Sequence, residues 1–155
     1  MCLSAGAIDA NAQKIKSVKV TELRHRIDTS NSVMVVNFWA TFCIPCIHEI
    51  PFFEKISAKY KSQGVKLLLV SLDLKSHFPA KVEAFAKKQK FKSENVWLNE
   101  TNADYFCTMI DPSWSGSIPS TYFVNNKTGY KKLFEGEMTA GEFERELKLA
   151  IAKTP

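Results

Sequence analysis

The sequence contains no apolar run near the roughly 18 residues needed to cross a bilayer. Its best stretch, Val33 to Ala40, is short and interrupted by Asn37. Arginine occurs only at 24, 26 and 145, and the net charge of +5 comes from scattered lysines. No basic block with interleaved aromatics is present, so the charge reads as a solvated surface and no nucleic-acid partner is expected. Such a mildly basic face still favours acidic partners. Cysteine is sparse too: four residues, at 2, 43, 46 and 107, are too few for a disulfide-stapled miniprotein. There are no internal repeats and no low-complexity tract. At 155 residues, with 45% hydrophobic and 24% charged side chains, the chain suits one soluble domain with a single core.

No charged n-region or apolar h-region opens the sequence. The order Met1-Cys2-Leu3-Ser4-Ala5-Gly6 fits either of two readings. One is a lipoprotein beginning at a lipidated Cys2, which would anchor it to a membrane; the other is an incidental cysteine in a tail. Residues 1–14 are small and polar and read as a tether, leaving 15–155 as the domain.

Ile15 to Val20 alternates apolar and polar residues and predicts a short strand, followed by a helix over Thr21 to Asp28. Val33 to Trp39 is β-branched and aromatic, the pattern of a central strand buried on both faces. A helix is expected from about Cys43 to Lys61, with Cys46, Ile50, Phe53, Ile56 or Ser57, and Tyr60 on its inner face. Gly64 closes it, and Val65 to Leu72 predicts a second buried strand. Pro79 suits the first turn of a helix whose inner face is Val82, Phe85 and Ala86. Val96 to Leu98 reads as a strand and Ala103 to Ile110 as a short helix. A hairpin is expected from Ser120–Val124 and Lys131–Phe134 around Asn125 to Gly129. A capping-box pair, Thr139 and Glu142, opens a last helix that buries Phe143, Leu147 and Ile151. The alternation predicts an α/β fold with a central mixed sheet flanked by helices.

Cys43 and Cys46 lie where a buried strand gives way to a helix. The first turn of a helix has free N–H groups and a partial positive charge, which ease deprotonation of a thiol. The thiolate is the nucleophile of disulfide exchange. Cys43 would occupy the exposed end as the attacking thiol. Cys46, one turn deeper, would resolve the mixed disulfide. Pro45 suits and stiffens that first turn. Zinc would need further ligands, and neither a second CxxC nor an HxxxH follows; haem attachment would need His at the position of Ile47. No metal and no organic cofactor are expected.

Val36-Asn37-Phe38-Trp39-Ala40-Thr41-Phe42-Cys43-Ile44-Pro45-Cys46 resembles the active-site signature of thioredoxin-like proteins. Asn37, Glu49 and Pro51 make it similar to the extracytoplasmic TlpA/ResA-type thiol–disulfide oxidoreductases. A second block, Trp114 to Phe123, resembles the family's cis-proline loop, and implies a cis Ile118–Pro119 bond with the Ile118 backbone pairing to substrate beside Cys43. The resemblance spans about residues 15 to 153. The stretch between Cys46 and Pro119 leaves room for an inserted helix and strand before that loop, as in the TlpA-like branch. Two features depart from the pattern: no amino-terminal hairpin is evident, and Ile44 replaces the usual Gly or charged residue between the cysteines.

The resemblance implies a substrate surface of Trp39, Ile44, Pro45, Ile118 and Pro119, with Trp39 also serving as packing. It further implies protein thiols and disulfides as substrates, an upstream membrane thiol reductase as redox partner, a bacterial extracytoplasmic location and a monomer. Glu49 shares a helix face with Cys46. Burial and a nearby thiolate would raise its pKa and suit it as the base that deprotonates Cys46; the alternative is a surface carboxylate. Pro51 should bend the helix. Cys107 reads as a small core residue and His48 as solvated, and His25 and His77 show no partner motif. Alternative functions are a disulfide-forming oxidant and a non-catalytic binding module around Pro119. Reductant and oxidant differ by equilibrium alone, about 1.4 kcal/mol per 30 mV.

Overall fold

The computed structural model describes residues 14–152. Residues 1–13 of the tether, with Cys2, lie outside them. Six strands form one sheet in the order β1-β4-β3-β2-β5-β6. They are β1 (Lys16–Val18), β2 (Val33–Trp39), β3 (Val65–Ser71), β4 (Glu94–Leu98), β5 (Ser120–Asn125) and β6 (Tyr130–Glu135). Pairing is parallel from β1 through β2 and antiparallel from β2 to β6, giving the mixed sheet expected.

Five α-helices cover it: α1 (Val20–Asp28), α2 (Ile44–Lys59), α3 (Ala80–Gln89), α4 (Ala103–Ile110) and α5 (Ala140–Ile151). Strand alternation sorts the core into two layers. Val33, Val35 and Trp39 pack with Val65, Leu67 and Leu69 beneath α2, α3 and α5. Met34, Val36 and Phe38 pack with Leu68 and Val70 against α1 and α4. Every residue of β2 is buried, as a strand with helices on both faces requires. The helix and strand expected before the proline loop are α3 and β4, and β4 separates β3 from β1.

The α2 N-terminus is set locally. Cys43, with extended backbone, is the N-cap, and Pro45 lies within the first turn, where its missing N–H costs nothing. Pro51 lies inside the helix and leaves the Ile47 carbonyl without its usual donor; Pro51 is exposed on the water-facing side. A single 3-10 turn follows and ends at Gly64, whose φ of +79° is the left-handed conformation that glycine adopts freely. The Gly64 carbonyl then accepts the Val33 N–H at 2.9 Å.

Some boundaries differ from expectation. β1 stops at Val18, because Val20 already belongs to the buried face of α1. β4 begins at Glu94: that carboxylate pairs with Arg26, and Asn95 accepts the Trp39 indole N–H, so polar side chains are used inside the strand. Pro79 precedes α3 as its N-cap residue, after a cis Phe78–Pro79 bond. In α5, Ala150 is buried and Ile151 only half-buried; the Thr139–Glu142 capping box is formed.

Candidate active site

Cys43 and Cys46 are joined in a disulfide, with Cα atoms 5.3 Å apart. Cys43 keeps 8% of its surface and Cys46 none, so the sulfur at the helix N-cap is the one within reach of solvent. The Cys46 N–H donates to Cys43 Sγ at 3.4 Å, placing that sulfur over the free amides of the first turn. Ile44 and Pro45 are exposed beside it.

Glu49, one turn beyond Cys46, is fully buried. Its Oε1 accepts from Asn37 Nδ2 at 2.9 Å, and its Oε2 from the Met138 backbone N–H at 3.0 Å. The Asn37 amide also donates to Thr121 Oγ1 at 3.2 Å, while its Oδ1 has no partner among the described residues. Burial pushes the Glu49 carboxyl up to about 7, and the negative charge of Glu137 adds to the rise. The Met138 and Asn37 donors pull the other way without cancelling it.

A second buried carboxylate supports the loop from the opposite side. Asp73, just past the end of β3, accepts the Thr41 N–H at 3.1 and 3.2 Å, the Thr41 hydroxyl, and the Ser71 hydroxyl at 2.8 Å. Its own carbonyl accepts the Trp97 indole N–H at 2.7 Å. The residues leading into Cys43 are thereby tied to the neighbouring strand.

On the β5 side, Ile118–Pro119 is cis. Ile118 is half-buried and Pro119 buried, with the Pro119 carbonyl accepting the Gly136 N–H at 2.9 Å. Trp114 anchors this loop, with its ring 4.3 Å from that of Phe38 and its indole N–H bonded to the Ser117 carbonyl. Gly116 has φ +87°, and a Cβ there would lie 3.4 Å from Cys107 Sγ. Cys107 is buried, and burial pushes its thiol up to about 11.

One expected site residue moves. Trp39 has no exposed surface: it packs edge-on against Phe91 and beside Phe85, with its N–H on Asn95. It points into the α3 layer because it shares the strand face of Val33 and Val35, and so it cannot touch a substrate. Cys43, Cys46 and Glu49 are brought together on α2, with Ile118–Pro119 held on the neighbouring strand side.

Residues 4–129 match the model of the AhpC/TSA family. The chain belongs to that family. It is a thiol–disulfide oxidoreductase of thioredoxin-like fold. Among its relatives, "Thiol-disulfide oxidoreductase ResA" of Geobacillus kaustophilus (strain HTA426) is 26% identical over 94% of this chain and 79% of its own length. The ResA of Oceanobacillus iheyensis is 28% identical over 76% of this chain, which spans 56% of that relative. A solved structure, a thioredoxin-related protein from Neisseria meningitidis serogroup B, aligns with a TM-score of 0.66 and 26% identity. That alignment covers 78% of this chain and 86% of the other. No helix among the described residues is long and apolar enough to cross a membrane.

The sequence reading did not find Met138, Thr121, Thr41 or Asp73. None of the four left a local signal: Asp73 lies two positions past the end of β3, and its partner Thr41 is 32 positions away.

Proposed function

We propose that the protein is an extracytoplasmic reductase of protein disulfides, with Cys43 attacking, Cys46 resolving and Glu49 serving as the base for resolution. The Cys43 thiolate attacks one sulfur of a substrate disulfide, forming a mixed disulfide while the other substrate sulfur leaves as a thiolate. Glu49 takes the Cys46 proton, the Cys46 thiolate attacks Cys43 Sγ, and the second substrate sulfur departs and takes up a proton. The products are a reduced substrate and the Cys43–Cys46 disulfide. A membrane thiol reductase resets the pair. No metal or cofactor enters any step.

The observation that carries this reading is the burial of Glu49 one turn past Cys46 with a carboxyl pushed up to about 7. A base whose pKa lies near the working pH combines a useful ionised fraction with real proton affinity. Ile44, Pro45, Ile118 and Pro119 border the substrate position, Ile118 through its backbone. The persistence of disulfides outside the cytosol supports an extracytoplasmic setting. A lipid on Cys2 would supply the anchor.

The test is single-turnover resolution of a Cys43 mixed disulfide, followed for parent and Glu49→Gln between about pH 5.5 and 9. The variant should be slower by about a hundredfold near neutrality, the lower range for a general base. The deficit should shrink as Cys46 ionises unaided. Identical profiles would remove Glu49 from the mechanism. Redox titration of the pair against dithiothreitol reads the direction: a potential near that of strong oxidants would refute the reductase assignment.

A further inference from the structure

β1, β4, β3 and β2 run parallel, so their first residues point to one end of the sheet, and Cys43 follows β2 at the other. Two segments lead back to the end where the strands begin. The 3-10 turn after α2 carries Lys61 towards β3, whose second residue is Lys66. The last turn of α3 and the loop after it carry Lys87, Lys88, Lys90 and Lys92 towards β4. β3 and β4 are paired neighbours, so the two groups stand side by side. All of these lysines are exposed, and none forms an ion pair among the described residues.

Nearby carboxylates are already engaged. Glu54 accepts the Lys92 and Ser93 backbone N–H groups, each at 2.7 Å, and Glu94 pairs with Arg26. The Arg26 hydrogen bonds, and then the charges of Arg26, Lys16 and Lys66, hold the Glu94 carboxyl below the usual carboxylate range against the opposing effect of burial. The dithiol end has the other sign. Ser120 stands opposite both Phe38, near the end of β2, and Glu135, so the exposed Glu135 and Glu137 lie at the end that carries Cys43. The surface charge is thus separated along the strand direction. Lys14 and Ile15 reach β1 from the lysine side, where the Ile15 N–H donates to Glu83 of α3 at 3.1 Å.

We propose that the lysine-rich end of the sheet rests on anionic phospholipid headgroups, with the dithiol facing away from the bilayer. Lysine ammonium groups are hydrated point charges, whereas arginine forks match individual phosphates in fixed geometry. Lysines spread over two segments therefore suit a layer of negative headgroups, which offers charge across the whole end without demanding a fitted shape. The same field repels Glu135 and Glu137 and so turns the domain the same way. Cys43 stays free to meet protein disulfides. A lipid on Cys2 would tether the chain from this side, but the contact needs neither that lipid nor the role proposed for Glu49.

The test uses the full chain with Cys2→Ser, which cannot be acylated there, and sedimentation with vesicles of phosphatidylcholine alone or with equal parts of phosphatidylglycerol. The protein should sediment only with the anionic vesicles and be released by about 0.5 M salt, where charges are screened within a few ångströms. Lys61→Gln with Lys66→Gln, and Lys90→Gln with Lys92→Gln, should each weaken partitioning by about twenty-five-fold, about fivefold per lysine. Lys19→Gln with Lys75→Gln removes the same net charge from the dithiol end, after β1 and β3, and should leave partitioning unchanged. Iodoacetamide should modify reduced Cys43 as fast on the vesicles as in solution. Absence of binding to the anionic vesicles, or equal weakening in all three pairs, overturns the proposal. Binding to soluble polyglutamate as tight as to the vesicles would assign an acidic polypeptide instead. Protection of Cys43 on the vesicles would place the dithiol against the bilayer and overturn the orientation.

Discussion

Met138 donates its backbone N–H to Glu49 Oε2 at 3.0 Å, so a residue 89 positions further along the chain holds the carboxyl one turn past Cys46. Asn37 holds the other oxygen from β2. The carboxyl is fixed from two directions yet lies out of water, and desolvation outweighs the two donors.

That balance predicts an unusual pH dependence of stability in the oxidised protein. The unfolded chain loses the Glu49 proton near pH 4.3, whereas the native chain keeps it until about pH 7. Native protein binds more protons in that window, so stability should fall as pH rises through it and level off above, by on the order of 3 kcal/mol. Glu49→Gln should remove this slope. The unpartnered Asn37 Oδ1 can turn to accept from the new amide, so the fold should survive. Urea midpoints at pH 5 and pH 7.5 for both proteins check this. Carboxylates held low, such as Glu94 and Glu142, act below the window and cancel in the comparison. A slope shared by parent and variant would mean that another group causes it.

How much of this was legible follows from the range of each interaction. β2 was readable because a strand buried on both faces must be continuously apolar, and the α5 start because Thr139 and Glu142 lie within one turn. The cysteine pair and the neighbourhood of Glu49 were readable because helical spacing is local. Of the two roles expected of Trp39, the packing one is formed, and the substrate contact was not excluded by sequence because strand alternation does not say that the last side chain faces Phe85 and Phe91. β4 was cut short because Glu94 and Asn95 look like loop residues until Arg26 and Trp39 are beside them. Met138 and Asp73 bind across 89 and 32 positions, and no short-range pattern encodes either contact.

Asp73 should matter to stability more than its loop position suggests. Asp73→Ala leaves the Thr41 N–H, the Thr41 hydroxyl and the Ser71 hydroxyl without their acceptor in a buried setting. The expected loss is about 2–4 kcal/mol, read from the urea midpoint. Asp73→Asn keeps one acceptor oxygen and should lose about half as much. A loss in Asp73→Ala with none in Asp73→Asn would show that the side chain's packing, not its acceptor oxygens, holds the loop.

Gly116 governs the loop before Ile118. Its φ of +87° disfavours any side chain, and an added Cβ would meet Cys107 Sγ at 3.4 Å. Gly116→Ala should cost about 1–2 kcal/mol from backbone strain alone. The double variant Gly116→Ala with Cys107→Ala, which clears the space, should recover only the part due to contact. Full recovery in the double variant would place the whole cost in packing and none in the backbone.

The order in which the thiols react tests the assignment of the attacking cysteine. After reduction, three thiols among the described residues compete for an alkylating reagent: Cys43, Cys46 and Cys107. Cys43 alone combines solvent contact with a place at the helix N-cap, where free amides favour the thiolate. Cys46 is fully enclosed. Cys107 is buried with its thiol pushed up to about 11, so its thiolate is scarce at neutral pH. Iodoacetamide under native conditions, read by peptide mass spectrometry, should modify Cys43 first by about tenfold or more over Cys46, with Cys107 labelled only on unfolding. Cys46→Ser should then accumulate a mixed disulfide through Cys43, because the attacking sulfur remains and the resolving one is gone. Cys43→Ser should accumulate none. If Cys46 were labelled first and Cys43→Ser were the variant that trapped partners, the two roles would be exchanged. The enclosed sulfur would then have to emerge by an opening of α2 that the buried face of Cys46, Ile50 and Phe53 opposes.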